Sequence, residues 1–262
     1  MRDQIIERLR KIELENKVVI LYACESGSRA WGFPSADSDY DIRFIYVHPR
    51  DWYLTIQDKR DVLEFPLVQS FDFSGWDIRK ALGLFRRSNP PFLEWLGSPI
   101  VYQEKGSFAS HLRDLSKQYY SPASCIYHYL HMAQGNYRDY VRGEDIRLKK
   151  YFYLLRPILA IEWIEQGNGV APTAFSTLLE GIALKTDLKQ EINGLMALKE
   201  AGGEADRVPQ SPMVNQFIET ELKRLTNQTQ NYQNSPASFE VLDEIFRTTL
   251  REAHLLEAGK EL

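Results

Sequence analysis

Two small residues and two carboxylates lie close together in this chain: Gly27 and Ser28, then Asp39 and Asp41. A glycine takes backbone angles closed to other residues and, lacking a side chain, lets a phosphate approach main-chain amides; a serine adds a hydroxyl donor. Asp39 and Asp41 stand at i and i+2 at the head of the apolar run Ile42-Arg43-Phe44-Ile45-Tyr46-Val47. In a strand that spacing points both carboxylates to one face. Two carboxylates forced together repel unless a cation neutralises them. Mg²⁺ suits the pair, because it takes hard oxygen ligands and is commonly held through one or two carboxylates plus substrate phosphates. The stretch from Ser26 to Arg43 therefore reads as a nucleotide site.

The elements that must position these residues are visible on either side. Lys17 to Cys24 is a continuous apolar run rich in β-branched residues, which predicts a buried strand delivering its end to the Gly27-Ser28 turn. Arg29 to Trp31 could start a helix whose free N–H groups also face a phosphate. Ile5, Leu9 and Ile12 recur at helical spacing with charges between them, which predicts an amphipathic N-terminal helix and not a signal peptide. His48 to Leu54 reads as an excursion with a short helix, and Asp61 to Phe73 as one or two strands, with Pro66 at an edge or a bulge. Asp77 precedes the helical pattern Ile78, Ala81, Leu82 and Phe85, where it suits a cap, and Asn89 with Pro90 begins a further helix.

Gly27-Ser28 followed by Ser38-Asp39-Tyr40-Asp41-Ile42 and an apolar strand resembles the signature of the DNA polymerase β nucleotidyltransferase superfamily. Gly32-Phe33-Pro34-Ser35 through Tyr46, Gly75-Trp76-Asp77-Ile78-Arg79-Lys80-Ala81-Leu82, Asn89-Pro90, Glu94-Trp95-Leu96 and Ser98 to Tyr102 further resemble the bacterial YcgL/RlaP-like predicted nucleotidyltransferases. The resemblance implies transfer of a nucleoside monophosphate from a nucleoside triphosphate such as ATP to an acceptor hydroxyl, with release of pyrophosphate. It implies two Mg²⁺ ions, with Mn²⁺ able to substitute, held by Asp39, Asp41 and a third carboxylate from a later, adjacent strand. Asp72 is the positional match for that carboxylate, and Asp77 is the alternative. Gly27 and Ser28 would cradle the β- and γ-phosphates, with Arg29 and Ser38 beside them. Arg79 and Lys80 would contact substrate. The acceptor implied is an RNA end, alternatively a small molecule or a protein. The rival reading is a non-catalytic nucleotide- or RNA-binding, antitoxin-like module on the same fold.

From about residue 105 strand signals stop and helical periodicity takes over, which sets the expected architecture: an α+β nucleotidyltransferase domain over 1–105, a mixed sheet with flanking helices, then an α-helical bundle over 106–262 that binds substrate and nucleotide. Helices are expected at 107–119, 122–140, 144–166, 173–184, 186–201, 210–231 and 236–257. Within the third, Lys149, Tyr153 and Arg156 fall on one helical face. That face is either a solvated charged surface or, with Lys150 and as the pattern Lys149 to Pro157 resembles the family, a phosphate contact. His128 and His131, at i and i+3 without a carboxylate or cysteine partner, make a poor metal site and read as packing residues, as do Trp52, Trp76, Trp95 and Trp163.

Composition sets the outer bounds. The 262 residues, 44% hydrophobic and 26% charged, are ordinary for a globular protein, and the net charge of −4 argues against a uniformly basic nucleic-acid coat. The two cysteines, Cys24 and Cys125, form no disulfide framework and read as buried thiols. No apolar run approaches the length that spans a bilayer. The expected location is cytoplasmic, with no membrane partner.

Overall fold

The computed structural model of the protein describes residues 1–140, 145–203, 206–227 and 238–258. In chain order the elements are α1 (Arg2–Asn16), β1 (Val19–Ser26), α2 (Gly27–Trp31), β2 (Tyr40–Val47), α3 (Arg50–Tyr53), β3 (Val62–Glu64), β4 (Phe71–Asp77), α4 (Ile78–Arg86), α5 (Pro90–Leu96) and β5 (Val101–Glu104). There follow α6 (Phe108–Tyr119), α7 (Pro122–Tyr140), β6 (Asp145–Arg147), α8 (Leu148–Glu165), α9 (Phe175–Glu180), α10 (Thr186–Ala201), β7 (Arg207–Pro209), α11 (Pro212–Asn227) and α12 (Glu240–Ala258). The architecture is α+β, and two compact units divide it.

The first unit comprises Met1–Ser26, Asp39–Tyr120 and the described C-terminal residues. Its five-stranded mixed sheet has the order β3-β4-β2-β1-β5, with β2 and β4 parallel and the other pairs antiparallel. Ile5, Leu9 and Ile12 of α1 pack with Val18, Ile20, Ala23, Ile42, Phe44 and Phe73 in one core. Each of these side chains apart from Ala23 contributes about 1.5–3 kcal/mol when fully buried. Because side chains alternate along a strand, burial of Ile42, Phe44 and Phe73 on the α1 side sends Asp41, Arg43 and Asp72 to the opposite face. There Trp76 of β4 stacks on Trp95 of α5, with ring centroids 3.7 Å apart. The C-terminal helix α12 belongs to this unit: Glu252 accepts hydrogen bonds from the Ser107 amide at 3.0 Å and hydroxyl at 2.7 Å, at the start of α6.

The second unit joins Gly27–Ser38 to the helices between residues 121 and 227. Helix α8 is its centre, with Phe152, Leu155, Leu159 and nine other residues buried along its length. Phe33 of the Gly27–Ser38 segment inserts against Phe152 at 4.5 Å and Phe175 at 5.3 Å between ring centroids.

The helix expected over 144–166 begins only at Leu148; residues 145–147 instead form β6, paired antiparallel with β7. The physical reason is that a three-residue strand paired with a distant segment leaves no local periodicity to read. The helix ends expected at 144, 228–231 and 236–237 lie outside the described residues. Among the described residues no helix is long and apolar enough to cross a membrane.

Candidate active site

The sheet register sets the carboxylates. Strand β1 ends with Ser26 opposite Asp41, and parallel pairing of β2 with β4 sets Asp41 directly beside Asp72. Two carboxylates on one face of adjacent strands demand a cation, and Arg43, two residues further along β2, supplies one. Its Nη2 donates to Asp41 Oδ1 at 3.0 Å and to Asp72 Oδ2 at 2.7 Å, while Nη1 donates to the Asp72 carbonyl at 3.0 Å. The two acids thus converge on a single cationic nitrogen. All three side chains are partly exposed, at 19% for Arg43, 29% for Asp41 and 37% for Asp72. Ion pairs this wet stabilise a fold by only about 0–1 kcal/mol, so little energy resists exchange of the guanidinium for another cation.

Asp41 is held from behind. Glu25, fully buried at the end of β1, accepts the Asp41 amide N–H at 2.7 Å through Oε1, and its Oε2 accepts the Tyr102 hydroxyl. Ser98 Oγ donates to the Glu25 carbonyl at 2.7 Å. A buried carboxylate is costly unless bonded in this way, and these bonds lock the start of β2. Asp39 lies one residue before that strand, exposed. Among the described residues no group of three or more His, Cys, Asp or Glu is placed to hold a metal. The converging donors are the pair Asp41 and Asp72, whose hard oxygens suit a hard cation.

Asp77, the other candidate for the third carboxylate, is buried and engaged elsewhere. It caps α4 by accepting the Arg79 amide at 2.8 Å and takes the Tyr53 hydroxyl at 2.7 Å. Burial pushes its carboxyl above the usual range against the pull of those two donors. Lys80 is paired with Asp61, 3.0 Å away.

The second unit carries the phosphate-turn candidates. Gly27 has φ 60°, the left-handed region in which a side chain is strained. Ser28 accepts the amides of Gly32 and Phe33 through its carbonyl, which closes the short α2. Arg29 Nη2 donates to the Ser38 carbonyl at 2.7 Å. Trp31 and Tyr153 form a T-shaped pair with centroids 5.6 Å apart, and the Arg156 guanidinium lies 5.0 Å from the Trp31 ring. Lys149 Nζ in turn sits 5.9 Å from the Tyr153 ring. The structure therefore brings the Lys149, Tyr153, Arg156 face of α8 to the helix that begins with Gly27 and Ser28. Lys149 and Tyr153 are exposed and Lys150 half-buried, but Arg156 is 2% exposed and donates to the carbonyls of Pro172 and Thr173. Arg156 braces α2 through Trp31.

Sequence reasoning assigned no role to Arg43 or Glu25. Arg43 had a usable signal, a cation two residues beyond Asp41 on the same strand face. Glu25 had none, because nothing local marks its burial. His128 and His131 pack against tyrosines, with His131 4.3 Å from the Tyr127 ring.

Residues 1–248 match the protein-family model described as RlaP, RNA repair pathway DNA polymerase beta family. The chain is 48% identical over 225 residues to the uncharacterized protein YcgL of Bacillus subtilis (strain 168), which covers 86% of each chain. A crystal structure of a nucleotidyltransferase-like protein from Exiguobacterium sibiricum 255-15 is matched over 83% of this chain and 71% of its own, at 13% identity and a TM-score of 0.29.

Proposed function

We propose that this chain, which belongs to the RNA repair pathway DNA polymerase beta family, RlaP, is a Mg²⁺-dependent nucleotidyltransferase. It moves a nucleoside monophosphate from a triphosphate such as ATP to an acceptor hydroxyl. The observation that carries this reading is the in-register pair Asp41 and Asp72, whose carboxylates meet at one cationic nitrogen. Asp39, Asp41 and Asp72 would hold two Mg²⁺ ions, with Mn²⁺ able to substitute, and ions so held stabilise the attacking and leaving oxygens of an in-line displacement. Asp72 takes the proton of the acceptor hydroxyl as that oxygen bonds to the α-phosphorus. The bond from phosphorus to the bridging oxygen breaks, and pyrophosphate leaves with its electrons.

The residues from Gly27 to Ser38 and the Lys149 face of α8 would supply the phosphate contacts. Gly27, at φ 60°, opens the turn so that main-chain amides reach a phosphate, and Ser28 adds a hydroxyl; Ser38, buried with its hydroxyl accepting the Ser35 amide, acts by holding the turn and not by touching the phosphate. Arg29, Lys149 and Lys150 supply positive charge, Arg156 acts through Trp31, and Lys80 would act only by leaving Asp61. The family's description favours an RNA end as acceptor, with a small molecule or a protein side chain as alternatives. A cytoplasmic location, where triphosphates are abundant, fits this reading.

One observation favours a second reading. Arg43 already neutralises Asp41 and Asp72, so a non-catalytic nucleotide- or RNA-binding module could keep both acids without a metal. Thermal melting separates the two. The enzyme reading expects triphosphate to raise the melting temperature only when Mg²⁺ is present, and Asp41→Asn to abolish the rise; an equal rise without Mg²⁺ overturns it in favour of the binding module.

A further inference from the structure

Lys199 sits in the last turn of α10, on the face that buries Leu188, Ile192 and Leu195, and is only 2% exposed. A buried ammonium is costly unless its hydrogen bonds are supplied by neighbours. Lys199 Nζ donates to the hydroxyl of Ser35, itself 2% exposed. From there the bonds continue through the loop before β2. The Ser35 amide donates to Ser38 Oγ at 2.8 Å, the Ser38 amide returns to the Ser35 carbonyl at 3.1 Å, and Arg29 Nη2 donates to the Ser38 carbonyl at 2.7 Å. One unbroken path of hydrogen bonds thus runs from α10 to Arg29, two residues past Gly27. Gly203, just beyond α10, approaches the same loop, where an added Cβ would lie 3.5 Å from Asp37 Oδ2.

Stability alone is a poor reason for this arrangement, because replacing a buried charge together with its partners by apolar residues of similar volume is often neutral or stabilising. What a buried cation adds is a single required conformation for the groups bonded to it. Resting on the nucleotidyltransferase reading, we infer that Lys199 is a positioning residue for triphosphate binding: it fixes the Ser35–Ser38 turn, whose Ser38 carbonyl then sets the orientation of the Arg29 guanidinium. Lys199 itself touches no substrate.

The test uses the full chain and Mg²⁺ with ATP as the probe. Lys199→Met keeps the length of the side chain and removes its charge. The expected result is faster amide hydrogen exchange at Ser35 and Ser38 and a Kd for Mg²⁺-ATP raised about tenfold, the worth of one hydrogen bond to a charged group, beside a melting temperature lowered because the buried Ser35 hydroxyl loses its donor. Lys199→Arg should restore part of the affinity, and Ser35→Ala should reproduce the loss with no further loss in the double variant. Unchanged exchange at Ser35 and Ser38, or an unchanged Kd in the folded variant, overturns the inference. If Lys199→Met does not fold, Ser35→Ala decides on the same readouts. A wild type that binds no triphosphate sinks the nucleotidyltransferase reading instead, and exchange at Ser35 and Ser38 still decides whether Lys199 holds the turn.

Discussion

Replacing Asp77 by alanine removes two hydrogen bonds in one step. The Arg79 amide at the start of α4 loses its cap, which costs about 1 kcal/mol in comparable helices. The buried Tyr53 hydroxyl loses the acceptor of its proton, and a buried donor left unsatisfied costs about 1–3 kcal/mol. The sum, about 2–4 kcal/mol, should lower the melting temperature by roughly 4–16 °C for a chain of this size. Asp72→Asn, by contrast, disturbs a partly exposed ion pair worth about 0–1 kcal/mol and should move the melting temperature by no more than about 4 °C. Differential scanning calorimetry of both variants, paired with triphosphate binding in Mg²⁺, separates the roles. Asp77→Ala should melt early yet bind; Asp72→Asn should melt normally and fail to bind. If Asp77→Ala melts with the wild type, or Asp72→Asn falls further than Asp77→Ala, the division between a structural and a metal-holding carboxylate is wrong.

Gly75 faces the ring of Phe44 across the β2–β4 pair, and a Cβ there would run into it; Gly75→Ala should cost about 1–3 kcal/mol in urea unfolding, and an unchanged midpoint would contradict that packing. In the second unit Glu162, Glu165 and Glu221 surround the single Arg224 guanidinium at 2.5–2.7 Å. Burial, with Glu221 beside it, raises the Glu162 carboxyl from 4.5 to about 7. A carboxyl raised in the folded state binds its proton more tightly there than in the unfolded chain. Its stabilisation is therefore full below about pH 4.5 and lost as pH rises through about 7, so melting should weaken from pH 5 to 8 less steeply in Glu162→Gln. An identical slope in the variant would contradict this. Arg43→Met strips the cation from Asp41 and Asp72, so Mn²⁺ or Mg²⁺ should raise its melting temperature more than that of the wild type; equal shifts would mean that the metal does not replace the guanidinium.

The parts of the fold that could be read in advance are those whose cause is local. The apolar run ending at Cys24, the helical spacing of Ile5, Leu9 and Ile12, and the cap position of Asp77 each depend on neighbours a few residues away, and each appears as the element expected. The expected Gly27-Ser28 turn is instead the first residues of α2, and Asp39 falls one residue before β2, so only Asp41 of the pair lies on the strand. What escaped depends on register and distance. Arg43 matters because β4 pairs in parallel with β2 and carries Asp72 to the level of Asp41, which no spacing within β2 encodes. Glu25 matters because Tyr102 and Ser98 come from segments far along the chain. Strand signals stop near residue 105 because β5 ends at Glu104, whereas the compact units divide after Tyr120 and exchange two segments, Gly27–Ser38 and the C-terminal helix α12. Such exchanges are made by tertiary packing, and composition along the chain does not record them.

Nucleotidyl transfer at the Asp39, Asp41 and Asp72 carboxylates is directly measurable. Its most direct test incubates the protein and Mg²⁺ with ribonucleoside triphosphates labelled at the α-phosphate, together with a pool of RNA ends, small hydroxylated molecules and proteins. A folded Asp39→Asn, Asp41→Asn double variant serves as the control. Label is expected on one class of acceptor, RNA ends first, with release of pyrophosphate and no label from the double variant. Label on no acceptor, or full labelling by the folded double variant, would contradict it.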